Sequence, residues 1–275
     1  MTKAHLVQSD IVWEDAAANH QLVERMLAGA GVSPGDWVVL PEMFNTGFSF
    51  DLARTVPMGE ASMTWAAKFA AARQVVLFIG ITAEKDGKGR NRLLVYSPEG
   101  RVIGSYDKMH PFSYGKESDY FSRGEAPVVV DVPLAKGTVK LCPTICYDLR
   151  FPELYRAGLA LGAEVFVVIA NWMRKRAPHA RSLSIARAIE NQAMVLSVNR
   201  VGTDCSTSYL GGSMAIDPQG VVVGELDDKP GVLSVEVDVE AVRDWRRDFP
   251  AWHDQHPALW RPLQAASGAG CALGS

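Results

Sequence analysis

Short apolar runs alternate along the chain with longer stretches in which apolar residues recur at helical spacing. "AHLVQ" (4–8) predicts a first strand. In "AANHQLVERMLAGAG" (16–30), Leu22, Val23, Met26 and Leu27 repeat with a helical period and glycines close the stretch, which predicts a helix. "DWVVLPE" (36–42) predicts a buried strand ending in a carboxylate. "SMTWAAKFAAAR" (62–73) predicts a second helix, and the continuous apolar run "VVLFIGI" (75–81) a strand behind it. "NRLLVYSPEGRVIGSYDK" (91–108) predicts a hairpin, with Pro98 and Gly100 shaping the turn "SPEG".

The second half repeats this rhythm. "TVKLCPTIC" (138–146) predicts a strand and "FPELYRAGLALGA" (151–163) a helix with Pro152 in its first turn. "EVFVVIANW" (164–172) predicts a strand, "ARSLSIARAIENQ" (180–192) a helix and "AMVLSVNRVG" (193–202) another strand. "GGSMAIDPQGVVVGEL" (211–226) predicts a second hairpin, and "GVLSVEVDVE" (231–240) a last strand. Plain alternation of strands and helices would give a doubly wound sheet. The two hairpins instead favour two mixed sheets, each covered by helices on one face, in a four-layer α/β sandwich (αββα). Residues 1–263 are expected to form one domain, and the Gly-rich "QAASGAGCALGS" (264–275) a flexible C-terminal tail.

Composition narrows the setting. The 275 residues are 48% hydrophobic with a formal net charge of −3, ordinary for a soluble globular protein. "RKRAPHAR" (174–181) is the one basic block, so no nucleic-acid partner is expected. The N-terminal stretch turns polar within its first residues and lacks a signal-peptide core. No apolar run reaches the length of a membrane span. A cytoplasmic protein without membrane association is expected. Four cysteines, Cys142, Cys146, Cys205 and Cys271, are too few for a disulfide scaffold and suit a reducing compartment.

Candidate chemistry lies at the ends of the apolar strands, where open α/β sheets present functional groups. Cys146 sits where a strand hands over to a helix, and a helix N-terminus there would favour thiolate over thiol. A buried small hydrophobe fits the same position. Cys142 lies four residues earlier, so without a distortion near Pro143 both side chains would share a face. The spacing of these two and of the six histidines offers no metal-ligand pattern, and no metal is expected. Glu42 ends "VVLPE"; burial there would raise its pKa toward that of a general base, whereas an exposed strand-end charge is the plainer reading. Lys108 ends "GSYDK" as a solvated lysine or as a cation beside a developing oxyanion. Glu117 lies in a loop, and Asn171–Trp172 ends another apolar strand.

"LPEMFNTGF", "YDKMHPF" and "CYDLRFPELYR" occur in that order. Together they resemble the carbon–nitrogen hydrolase (nitrilase) superfamily, and the likeness runs over roughly residues 4–250. "CYDLRFPELYR", "ANW", "RAIENQ" and "NRVG" are most similar to its omega-amidase branch. The resemblance implies an αββα sandwich that pairs into a homodimer and needs no cofactor. It implies a catalytic triad of Glu42, Lys108 and Cys146, with Glu117 as a second glutamate orienting it. The Tyr147 backbone N–H would join Lys108 in stabilising the oxyanion. The implied substrate is a small omega-amido-2-oxo acid, 2-oxoglutaramate or 2-oxosuccinamate, which some members process in methionine salvage. Other C–N hydrolases (nitrilases, N-carbamoyl amino acid amidases, aliphatic amidases) share the triad, and a non-catalytic module on the same fold is the alternative of a different class. A 2-oxo acid needs a cation for its carboxylate, for which Arg174, Arg176 and Arg150 are candidates, although an arginine so placed also fits an ion pair. Phe44, Phe112, Asn171 and Trp172 are candidate walls of the substrate pocket. The aromatic-rich stretch 244–260 is a candidate subunit contact or packs on its own domain.

Overall fold

The structure, a computed structural model, describes residues 1–205 and 207–256. The first half runs β1 (Lys3–Gln8), α1 (Ala16–Ala28), β2 (Trp37–Val39), α2 (Leu52–Arg73), β3 (Val76–Lys85), β4 (Lys88–Tyr96), β5 (Val102–Asp107) and the single turn α3 (Glu117–Tyr120). The second runs β6 (Val130–Pro133), β7 (Thr138–Ile145), α4 (Pro152–Ala160), β8 (Val165–Ala170), α5 (Ala177–Asn191), β9 (Met194–Asn199), β10 (Val201–Asp204), β11 (Thr207–Leu210), β12 (Met214–Ile216), β13 (Val222–Glu225), β14 (Gly231–Glu236) and α6 (Val239–Asp248).

Two six-stranded mixed sheets form, in the orders β14-β1-β2-β3-β4-β5 and β13-β12-β9-β8-β7-β6. Strand alternation sorts the first sheet. Leu6, Trp37, Val39, Phe78, Leu93 and Val95 join the core shared with the second sheet, while Val7, Val38, Leu77, Ile79 and Leu94 pack under α1 and α2. On the outer face of the second sheet, Tyr155 of α4 packs against Phe166 of β8. The four-layer α/β sandwich is thus built by period-two strands and amphipathic helices.

Three elements differ from the sequence expectation. The helix expected at 62–73 starts at Leu52, where the Asp51 side chain accepts the Arg54 N–H. Pro57 and Gly59 obscure that start, yet Gly59 is what lets the helix backbone close on Thr82. The stretch 193–202 is two strands, β9 and β10, broken at Arg200. The Arg200 guanidinium turns inward to Asp204 at 2.6 Å. β14 leaves the second half and pairs antiparallel with β1, Lys3 opposite Glu236. Local periodicity carries no information about which edge a strand will find. Part of the stretch proposed as a subunit contact packs on its own chain, since Arg246 donates to the carbonyls of Ala163, Asn191 and Gln192. The tail expected at 264–275 lies outside the described residues. Among the described residues no helix is long and apolar enough to cross a membrane.

Candidate active site

The strand ends of the two sheets meet at one cavity. Beyond β2 the chain keeps running beside β3, with the Leu40 N–H on the Phe78 carbonyl and the Phe44 N–H on that of Gly80. A side chain at residue 80 would meet the Glu42 Cα at 2.8 Å, so glycine is required for Glu42 to lie this close. Lys108 follows β5 directly, its N–H bound to the Asn91 carbonyl of β4. Asn171 follows β8 and Cys146 follows β7.

Glu42, Lys108 and Glu117 form one buried cluster, respectively 0%, 1% and 0% exposed. The Lys108 Nζ donates to Glu42 at 2.8 Å and to Glu117 at 2.9 Å. Asn91 Nδ2 bridges the same two carboxylates at 2.7 and 2.8 Å. The other Glu42 oxygen accepts the Asn171 N–H at 2.7 Å, and the Phe112 N–H reaches Glu117 at 2.6 Å. Burial by itself works against the ammonium, but Glu117, Glu42 and Cys146 outweigh it and hold Lys108 well above the ordinary lysine range. One ammonium serves two carboxylates, so the cluster also depends on the neutral donors of Asn91, Asn171 and Phe112. Asn91 was not legible as a site residue; a polar side chain in the apolar run "NRLLVY" was its one trace.

Cys146 is set by its backbone. Cys142 and Thr144 face α4: Cys142 lies against Gly158, and the Thr144 hydroxyl meets that of Tyr155 at 2.9 Å. Continued alternation would turn Cys146 the same way. Instead Cys146 adopts φ +47°, a left-handed conformation costing a cysteine on the order of 1 kcal/mol, and opens a 3₁₀ turn over Cys146–Arg150. The reversal points it into the cavity with Glu42 and Lys108. The distortion falls at Cys146 itself, not at Pro143. α4 begins at Pro152, as expected, but the thiolate-favouring effect expected of its N-terminus is corrected. Burial first, then Glu42, pushes the Cys146 thiol well above the ordinary range, against the pull of Lys108. Both effects favour thiol over thiolate at Cys146.

The cavity is lined by Phe48, Phe112, Cys146, Tyr147, Arg150, Asn171, Trp172, Met173 and Arg176. Phe112, Asn171 and Trp172 stand where the sequence suggested, and Tyr147, singled out only for its backbone N–H, lines the cavity as well. Phe44 does not: it is buried beneath α1 and α2, beside His20 and Trp65. Phe48, four residues on and past the turn at Gly47, takes the wall position instead. Arg174 does not line the cavity either; it is half exposed and 3.5 Å from Asp228. Residues of a 3₁₀ turn lie a third of a turn apart, so Arg176 can face the cavity while Arg174 faces away. Arg150 lies over the Trp172 ring at 4.9 Å, and Arg176 over Phe112 and Tyr114 at 5.4 Å each. Among the described residues neither of these two arginines has a carboxylate partner; their side-chain hydrogen bonds go to His179 and to the Met173 sulfur.

An αββα sandwich presenting a cysteine against a buried Glu–Lys–Glu cluster defines a class of C–N bond hydrolase. The family model for carbon-nitrogen hydrolases matches residues 3–247, and the chain belongs to that family, as an enzyme of the amidase kind. The chain is 34% identical over 254 residues to omega-amidase YafV of Escherichia coli K12, covering 92% of this chain and 96% of that one. It is 33% identical to the 2-oxoglutaramate amidase of Bacillus subtilis, with 82% and 86% covered. Among solved structures, XC1258 from Xanthomonas campestris, a CN-hydrolase superfamily protein with an arsenic adduct in its active site, superposes with a TM-score of 0.85 at 30% identity, covering 93% of this chain and 97% of that one.

Proposed function

We propose that the protein hydrolyses the terminal amide of a small omega-amido-2-oxo acid, 2-oxoglutaramate or 2-oxosuccinamate, giving the dicarboxylate and ammonia through a thioester on Cys146. The observation that carries this reading is the pairing of two unlike walls on one cavity. The thiol faces Glu42 and Lys108, while among the described residues Arg150 and Arg176 hold positive charge with no carboxylate of their own. A substrate with an amide at one end and a carboxylate at the other complements both. The names of the Escherichia and Bacillus relatives support the same substrate class.

In the proposed sequence Glu42 takes the thiol proton as the sulfur attacks the amide carbon. Lys108 and the Tyr147 N–H stabilise the oxyanion, a single such donor being worth roughly 3–4 kcal/mol. The tetrahedral species collapses, the C–N bond breaks, and ammonia leaves with the proton held by Glu42. Glu42 then takes a proton from water, whose oxygen attacks the thioester. The C–S bond breaks, and the proton returns to the sulfur. Glu117 keeps Lys108 aligned throughout. Surroundings that favour the thiol over the thiolate suit a nucleophile formed during attack, with Glu42 as the acceptor.

The test is a substrate panel: 2-oxoglutaramate, 2-oxosuccinamate, glutamine, an aliphatic amide, a nitrile and an N-carbamoyl amino acid. Intact-mass measurement of the acyl-enzyme runs alongside. Turnover of a 2-oxo amide at the highest kcat/KM, with an adduct mapped to Cys146, supports the reading. Faster turnover of any other member of the panel sinks it.

A further inference from the structure

Behind Cys146 lies a carboxylate that the reaction sequence does not use. Asp148 is fully buried, and four donors close on it. One oxygen accepts the Ile145 N–H at 3.0 Å and the Tyr106 hydroxyl at 2.7 Å. The other accepts the His110 N–H at 3.0 Å and lies 2.8 Å from His110 Nδ1. The sources of these donors matter. Ile145 directly precedes Cys146. Tyr106 and His110 stand two residues either side of Lys108. His110 is itself pinned by a stacked ring, Phe151, at 3.8 Å. The Tyr106 hydroxyl also receives the Met109 N–H at 3.2 Å, tightening the bend after Lys108.

We propose that Asp148 is a positioning residue, whose carboxylate locks the turn carrying Cys146 against the strand end carrying Lys108. The two segments come from different sheets, and no ladder hydrogen bond joins β5 to β7. A left-handed cysteine persists only where its surroundings over-determine it, and the Ile145 N–H bond supplies that constraint one residue upstream. A buried carboxylate requires full hydrogen-bond satisfaction, so the four donors and Asp148 fix one another. Asp148 touches no reacting atom in this scheme; it sets the thiol's placement against the cation. The proposal rests on Cys146 being the reacting thiol.

Asp148→Asn and Tyr106→Phe test it, each compared with the unmodified enzyme. Three measurements are made: circular dichroism with thermal melting, the pH profile of iodoacetamide alkylation at the Cys146 peptide, and kcat and KM for the amide. Folded Asp148→Asn is expected to show a displaced alkylation profile and kcat lowered about 10- to 100-fold, with KM held within about threefold. Tyr106→Phe should move both in the same direction by less. A folded Asp148→Asn whose alkylation profile matches wild type overturns the proposal, whatever happens to kcat. If Asp148→Asn does not fold, Tyr106→Phe decides alone by the same criterion. Alkylation needs no amide substrate, so an enzyme that turns over nothing in the panel sinks the proposed function while the alkylation comparison still decides this one.

Discussion

The two walls of the site, the buried cluster behind Cys146 and the arginine side of the cavity, are built on opposite principles. On one, Glu42, Lys108 and Glu117 are withdrawn from solvent, each charge paired and each carboxylate fixed by further donors. On the other, Arg150 and Arg176 are half buried and held by aromatic faces, not by counter-charges. The first wall cannot rearrange without stranding a buried charge. The second leaves guanidinium donors free for an incoming carboxylate. Chemistry that depends on fixed dipoles suits the rigid wall, and recognition suits the wall whose charges are unspent.

The sharpest break of this comparison is at the thiol. Cys146→Ala should lower kcat about 10⁴-fold or more, in steady-state assays for ammonia release, while the fold melts near the wild-type temperature. Survival of activity would mean that the rigid wall is not where the chemistry occurs. Lys108→Met comes next, because it strands two buried carboxylates. Chemical denaturation should show a loss of about 3–5 kcal/mol, and the remaining folded enzyme should have little activity. Replacing Arg150 or Arg176 by Ala attacks the other wall. KM for an amide bearing a carboxylate should rise about 10- to 100-fold with kcat changed far less, and a neutral amide should be unaffected. Equal losses on charged and neutral amides would erase the distinction between the walls.

Stability against pH probes the rigid wall together with the buried Cys142 thiol and the buried tyrosines, whose protons are also held more tightly in the fold. Cys146 and Lys108 both hold their protons more tightly in the folded state. Stability should therefore be fully present below the unfolded thiol value, about pH 8.5, and fall as pH rises beyond it. A further fall should come above about pH 10.4, where unfolded lysine loses its proton. Urea midpoints across this range measure the effect; Cys146→Ala should shrink the first stage and leave the part due to Cys142, whose thiol burial pushes up to about 12. The smallest effect is expected at Cys142→Ala: about 1 kcal/mol of packing against α4, with kcat and KM unchanged.

Cys142 and Cys146 show how far the sequence reaches. Their spacing put both on one face, and for a regular strand that inference is sound. A single left-handed residue overturned it, and no periodicity encodes a left-handed cysteine. Glu42 and Lys108 stood out because each ends an apolar run, and strand ends are local. Asn91 and Asp148 were not legible as site residues, since most of their partners are distant in sequence. Phe44 and Arg174 were placed wrongly for a related reason: both lie in irregular segments, where a turn of backbone decides which neighbour faces the site.

The alternation of apolar and polar positions determined the strands, most of the helices and the sandwich, because burial of one face is a local property of the chain. The order of three motifs determined the family. Tertiary structure alone decided that β14 closes the first sheet and that Cys146 turns away from Cys142. It also decided that Arg150 and Arg176, not Arg174, meet the cavity. Each of these depends on free energy shared between segments far apart in sequence, through sheet pairing, buried charge and hydrogen bonds that exist only once both sheets are assembled.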